Sequence, residues 1–393
     1  MEIVRFQPLE LLQPGDVCAT PVRTPHGQLI PEGTILTSSH IRDLRGLPGI
    51  QIRRTLSETD LAQAMPAALR AFSGHDVLSP LGQTMLHLRV QAEAERRACG
   101  LPSLAPPRDP VAATAPRPSL APPLDLGAFD PPELPALAHQ LLQALAEDRL
   151  DAQGVATIIS QSPGLTSRLL RLVNAPAFGM PRTVDRIDRA VALVGTREIT
   201  LLASGLLLIE TFGMIPGSVV DLRAFLAHSF AVATACRQLA RHAHGELAET
   251  AFTAGLLHDL GRLFFLSVLP ERSKACMEFC HTAGRPIREE EQTFFGADHA
   301  SLGSKLLDLW NLPDTLVRAV AGHHEPKDFL AAVVHLADGI VHAAALGANG
   351  DSIPPRLRPH ALELSHTSLP QLTAAAQVAR VGTAALLAAL TTP

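Results

Sequence analysis

The chain has no tyrosine, one tryptophan and only 4% aromatic residues in 393. Strands favour aromatic and β-branched side chains, so this shortage, beside an abundance of leucine and alanine, argues for helix over sheet. Charge of one sign is not concentrated either: 33 Lys+Arg face 38 Asp+Glu, a formal net charge of −5, and no basic block stands out. Only local pairs such as Arg168 with Arg171 depart from this, and nucleic acid is therefore not expected as a partner. The five cysteines (Cys18, Cys99, Cys236, Cys276 and Cys280) form no CxxC pair and no disulfide framework. Cys276 and Cys280, one helical turn apart, read as ordinary helix thiols, and a reducing cytoplasm is the expected compartment. No signal-peptide pattern follows Met1, and the most apolar run, Ile199 to Ile209, is too short to span a bilayer. No membrane association is expected.

What is present points to a globular, mainly α protein. Hydrophobic residues make up 47% and charged residues 18%, and the length calls for two or three folded units. Residues 1–57 read as a small β-rich module: short apolar runs such as Val17–Val22, Gln28–Ile30 and Thr34–Leu36 are punctuated by Pro14-Gly15, His26-Gly27 and Glu32-Gly33. Ser39–Leu44 reads as a short helix, and Gly49–Ile52 as a returning strand. Residues 58–98 form a helical connector, with Ser57 or Thr59 as cap and Met65, Leu69 and Phe72 near helical spacing. Over 99–127 proline is dense (Pro102, Pro106, Pro107, Pro110, Pro116, Pro118, Pro122 and Pro123), which blocks helix and predicts a flexible linker. Helices resume over 128–345. Leu137, Leu141 and Leu145 make one stripe, Leu165, Leu169 and Leu172 another behind the cap Ser162-Pro163, and Leu302, Leu306 and Trp310 a third. Residues 346–393 form a C-terminal helical extension.

The chemistry sits in the helical part. In the almost wholly apolar stretch Phe252–Leu263, His258 and Asp259 stand side by side. Burying an unpaired carboxylate is costly, so something must satisfy Asp259. Further histidines and carboxylates recur in apolar helical sequence: His228, Asp298-His299, His323-His324-Glu325 and Asp338. Neutral imidazoles and ionised carboxylates are lone-pair donors that several helices can aim at one metal ion. A His-Asp pair near a helix end can reach the same ion, with His228 and Asp338 completing the shell. The competing reading is that each is a hydrogen-bonded core residue, and the residues alone leave both open. His335 and His342 read as ordinary helix residues, and Cys236 as core.

Several motifs, in order, resemble those of the HDOD domain, a branch of the HD phosphohydrolase superfamily related to the HD-GYP phosphodiesterases. The resemblance runs from about Pro131 to Ala345. Ser162–Asn174 resembles the family's helix with its Arg-Leu-Val-Asn ending, and Phe178-Gly179 follows. Ile187 with Ala190–Gly195 resembles the next signature. Ala251–Gly261 is the strongest match, and Phe295–Gly303 with Trp310-Asn311-Leu312-Pro313 completes the series. Leu12–Gly33 resembles the small β module that precedes some bacterial HD-GYP and HDOD domains.

The resemblance implies an all-helical HD-like domain with His228, His258, Asp259 and Asp338 as ligands of a divalent metal (iron, manganese or magnesium). It places His299, His323 and His324 where HD-GYP relatives hold a second metal, and Arg262 where catalytic relatives carry a lysine near the phosphate. This sequence departs from the catalytic pattern at two points: Glu325-Pro326-Lys327-Asp328 stands where Gly-Tyr-Pro would, and arginine differs from lysine in reach and geometry. HDOD domains as a family are regarded as regulatory. The expected function is thus a bacterial signal-transduction protein whose HDOD domain is a non-enzymatic output or protein-interaction module with a vestigial or structural metal site. A protein signalling partner is expected. The alternative is a metal-dependent phosphohydrolase acting on a nucleotide or cyclic dinucleotide. Asp259 is expected to be satisfied by neighbouring histidines or by a metal.

Overall fold

The computed structural model describes residues 2–9, 12–14, 16–47, 49–72, 74–99, 101–104, 133–146, 151–174, 180, 183–211, 216–217 and 219–391. Most of the proline-rich stretch, together with Phe178-Gly179, lies outside them. The chain divides into two compact units, one of 1–70 with 86–105, the other of 71–85 with 106–393.

In the first unit, strand β1 (Glu2–Pro8), strand β2 (Val17–Cys18), the hairpin β3 (Val22–Arg23) and β4 (Leu29–Ile30), and strand β5 (Gly49–Thr55) follow the turn signals of the sequence. The order β1-β5-β2 is antiparallel, with Glu2 opposite Thr55 and Val17 opposite Arg53. The short helix α1 (Ser38–Asp43) starts at a capping box between Thr37 and His40. Cys18, Ile30, Leu36, Leu44, Ile50 and Ile52 form the core of this module. Helix α2 (Glu58–Ala71) begins where Asp60 N–H donates to Ser57 Oγ, and α3 (Pro80–Ala98) follows, belonging to this unit from Leu86 on. The Met65/Leu69 stripe turns outward: those side chains are 39% and 45% exposed, and small residues bury instead, Ala64 and Ala68 against Val90 and Ala94. Alanine allows close helix approach, and that close packing outweighs the apolar spacing.

The second unit is built of helices and connecting loops, with no strand among its described residues. Helices α4 (Ala136–Ala146), α5 (Ala152–Ser160), α6 (Pro163–Val173), α7 (Ile187–Val194) and α8 (Thr196–Thr211) build one layer. Ser162 caps α6 with Pro163 in its first turn, and Leu165, Leu169 and Leu172 are fully buried. Asn174 fastens the next segment with both ends of its amide, donating to Val184 O and accepting from Val184 N–H, each at 2.7 Å. Beyond them come α9 (Leu222–Ala243), α10 (Ala248–Leu257), α11 (Leu260–Val268), α12 (Pro270–Ala283), α13 (Ile287–Phe295), α14 (His299–Leu309), α15 (Asp314–Gly322) and α16 (Phe329–Ala343). The chain closes with α17 (His360–Leu364) and α18 (Leu369–Thr391), which lies along α9 with Leu372, Ala375 and Ala379 buried.

Among the described residues, Gly245–Val268 is long and apolar enough to cross a membrane, and Ile187–Val194 with Thr196–Glu210 qualifies only as a span bent by 118°. The first has 89% of its apolar window buried inside the domain and breaks at His258-Asp259, as suits a core element.

Candidate metal centre

His228 lies on the buried face of α9, and Asp338 and His342 sit one turn apart on α16. His258 and Asp259 occupy the break between α10 and α11. Asp259 is the N-cap of α11 but makes no side-chain capping bond, so its carboxylate faces inward. His299 opens α14, and His323 and His324 follow α15. The α11–α14 crossing that brings these ends together needs glycine: a β-carbon on Gly261 would lie 2.1 Å from His299 O and 2.7 Å from Gly303 N.

Helix ends also aim the rings. His258 Nδ1 donates to Gly255 O (2.8 Å) and His323 Nδ1 to Val320 O (2.6 Å), each to a carbonyl three residues back. His299 Nδ1 meets Glu291 Oε2 at 2.6 Å, and this short contact with a carboxylate places the proton on Nδ1. In all three rings Nε2 is the nitrogen left to face the centre.

The side chains converge as two groups joined by one carboxylate. In the first, His228 Nε2 is 3.2 Å from Asp338 Oδ1 and 3.8 Å from Asp259 Oδ2, while His258 Nε2 is 3.3 Å from Asp259 Oδ2 and 3.7 Å from Asp338 Oδ1. In the second, His299 Nε2 is 3.3 Å from His323 Nε2 and 2.9 Å from His324 Nε2. Asp259 serves both, since its Oδ1 lies 3.3 Å from His299 Nε2. His258 Nε2 and Asp338 Oδ1 are buried yet find no hydrogen-bond partner. Buried polar atoms left over in this way, in sets of three potential ligand atoms within 4.8 Å of one another, fit a divalent ion bound by nitrogen and oxygen.

The buried charges set one another's protonation states. Burial opposes charge on Asp259, yet Arg262, His258 and His299 hold its carboxyl well below the usual range. Burial likewise opposes charge on Asp338, which His342, His228 and His258 nonetheless keep ionised. His258 is desolvated too, but the Asp259 and Asp338 carboxylates outweigh this and lift it to about 10. Burial and the neighbouring imidazoles push His323 down to about 3, and His324 well below its ordinary value. His323 and His324 thus present neutral imidazoles, the form that ligates metal.

All seven histidine and aspartate candidates read from the sequence come together here. Arg262 also lies at the centre, but buried among the protein's own groups: 3.4 Å from Glu291 Oε1, 3.9 Å from Asp259 Oδ1 and 3.1 Å from His299 Nδ1. His335 is an ordinary core histidine, donating to His323 O and accepting from Arg358 N–H, and Cys236 is buried core. His342 is not ordinary. Its Nε2 lies 3.6 Å from Asp338 Oδ1 and its ring 4.7 Å from that of His228. The i, i+4 spacing from Asp338 was the available signal. Glu291 and Asn349 carried none. Asn349, buried in the segment after α16, donates from Nδ2 to Asp259 Oδ2 at 2.6 Å. Asp259 is therefore satisfied by an amide as well as by histidines and Arg262.

Comparison with known proteins agrees with this architecture. The HDOD domain family matches residues 132–326. A crystal structure of a candidate phosphohydrolase from Shewanella amazonensis is similar at 25% identity and a TM-score of 0.53, covering 66% of this chain and 95% of that one. An HDOD domain protein of unknown function from Geobacter sulfurreducens is similar in fold at 24% identity and a TM-score of 0.50, over 63% of this chain and 84% of that one. An uncharacterized protein of Treponema pallidum is 29% identical over 203 residues, which is 50% of this chain; the match spans only 38% of that relative's own length. With the helices, the ordered motifs and the histidine–aspartate centre agreeing, residues 132–326 of this chain are an HDOD domain.

Proposed function

We propose that this protein is a signal-transduction component whose HDOD domain is a regulatory module organised around a divalent-metal centre and read by a protein partner, without efficient turnover of its own. The observation that carries the reading is Asp259, one buried carboxylate facing both histidine groups, beside orphaned atoms on His258 and Asp338. A divalent ion bound there supplies Lewis acidity and could activate water. His228, His258, Asp259 and Asp338, with His342, would hold one ion, and His299, His323 and His324 a second. Glu291 fixes the His299 tautomer, and Arg262 balances the carboxylates.

The surroundings suit binding better than catalysis. The cavity that opens on Asp259, Asp338 and His324 measures about 160 Å³, below the roughly 300 Å³ at which pockets begin to enclose a drug-sized ligand. Two arginines that line it are already paired, Arg356 with Glu289 and Arg358 with Glu325. The second reading, a phosphohydrolase, is favoured by the same cavity in one respect: Arg288, which lines it together with Arg262, has a buried Nε without a hydrogen-bond partner that a small phosphorylated group would answer. The test combines metal analysis of the purified protein with assays on linear and cyclic dinucleotides in manganese, magnesium or iron. Bound metal without turnover is the expected result. Metal-dependent hydrolysis abolished by both His258→Ala and Asp259→Ala would make the enzyme reading the better one.

A further inference from the structure

The segment 346–358 leaves α16 and lies against the metal centre, beyond the residues that match the family. Its closest approach is at Gly347, which has a φ of +73°; a β-carbon there would fall 2.2 Å from His228 N and 2.6 Å from Ala224 O. Ala348 N–H donates to Ala224 O at 2.9 Å. The next residue is Asn349. Its Nδ2 donates to Asp259 Oδ2 at 2.6 Å and stands 3.4 Å from His228 Nε2. Those two acceptor atoms are 3.8 Å apart and belong to one ligand set with His258. The amide nitrogen thus faces both of the atoms that a cation in this set would take.

A carboxylate oxygen has a second lone pair and can keep a hydrogen bond beside a metal, but these distances leave an ion held at roughly 2.1 Å from both atoms within about 3.2 Å of the amide nitrogen, where its N–H groups and the cation repel one another. We propose that Asn349 is a displaceable stand-in for the cation, so that metal entry into the His228–His258–Asp259 set expels its amide and loosens the 346–358 segment. The inference rests on the metal reading given above. It also gives that reading a route outward within the helical unit. The segment is tied to α13 where Ile287 N–H donates to Asp351 Oδ2 (2.9 Å) and to α16 where Arg358 N–H donates to His335 Nε2 (2.7 Å). His75 Nε2, from the 71–85 stretch, contacts Pro354 O at 3.0 Å. Loss of the Asn349 anchor is felt first in the amides of Ala348, Asp351 and Ile353, which are bonded to Ala224 O, Asn349 Oδ1 and Asp351 Oδ1.

The test is hydrogen exchange of the full chain with and without manganese, with calorimetric titration of manganese into wild type and Asn349→Ala. Binding to native protein slows exchange in the domain at large. Exchange should instead quicken in 346–353 of wild type. Asn349→Ala should bind manganese about tenfold more tightly, the equivalent of one hydrogen bond to a charged group no longer broken, and its 346–353 segment should exchange fast in either state. The wild-type comparison stands even where the variant folds poorly. Unchanged or slowed exchange in 346–353 at saturating manganese overturns the inference while leaving the metal reading intact. Weaker binding by Asn349→Ala makes Asn349 a ligand and overturns it likewise. Failure of wild type to bind any divalent metal ends the metal reading, and this inference with it.

Discussion

At the scale of single residues, the centre is a set of charges that stabilise one another and leave none to spare. Asp259 is 2% exposed and faces His228, His258, His299, Arg262 and Asn349. Asp259→Ala should abolish metal retention, measured by elemental analysis. It should also destabilise the metal-free protein by about 3–5 kcal/mol in denaturant melts, because Arg262 and His258 are left buried without their partner. A variant as stable as wild type would mean that solvent reaches these groups. The histidines also set a pH dependence. His323 and His342 are pushed down to about 3 and His335 to about 4, burial being the main cause in each. Above about pH 6.5 such rings are neutral in both folded and unfolded chains, and their contribution to stability is complete. As pH falls toward 4 the unfolded chain takes up protons that the fold refuses, and stability drops. Asp351, raised to about 7 chiefly by burial, opposes this with one proton against four, since burial pushes His324 down as well. His258 acts at the other end: its pKa of about 10 gives a contribution complete below about 6.5 and lost as pH rises through 10. Thermal melts in chelator should therefore peak near pH 6.5 and fall on both sides. A melting temperature that is flat from pH 7 to 4.5 would contradict the buried, neutral state of these histidines.

At the scale of elements, the site depends on helix ends meeting at short range. α10 stops and α11 starts around His258-Asp259, while α14 begins at His299 where it passes Gly261. Gly261→Ala puts a methyl against the His299 carbonyl, and helix α14 must yield. A loss of at least about 1–3 kcal/mol is expected, together with lower metal content, since both histidine groups are set by this crossing. Near-wild-type melting with a full metal complement would show that the crossing is looser than the geometry implies. The contrast with α2 is instructive: there alanines make the contact and Met65 and Leu69 face outward, so an apolar stripe need not mark the buried face.

At the scale of the whole molecule, the two compact units are not simply consecutive in sequence, because 71–85 belongs with the helical one. His75 contacts Pro354 O within that unit. The proline density of 99–127 leads us to propose a flexible linker there. Limited proteolysis should cut first within 99–127 and leave a stable fragment beginning near residue 128. Resistance throughout that stretch, under conditions that nick other loops, would refute the linker.

The sequence by itself determined what depends on neighbours along the chain. Helical periodicity, the Ser162-Pro163 cap and the Gly/Pro-punctuated strands are local, and the fold class follows from them. The order of His228, His258-Asp259, His299, His323-His324 and Asp338 was legible for the same reason: the signals are short and embedded in apolar sequence that solvation alone does not explain. What only the tertiary structure decided are the partnerships across distance. His342 looked like any helix histidine until α16 was laid beside α9, and Glu291 was one carboxylate in an acidic run until α13 met the start of α14. Asn349 lies 90 residues from Asp259, in a segment with no motif, and reaches it because the chain turns back over α9 at Gly347. A buried lone pair takes whichever donor packing brings within 3 Å, and packing is a property of the whole domain rather than of any stretch of it.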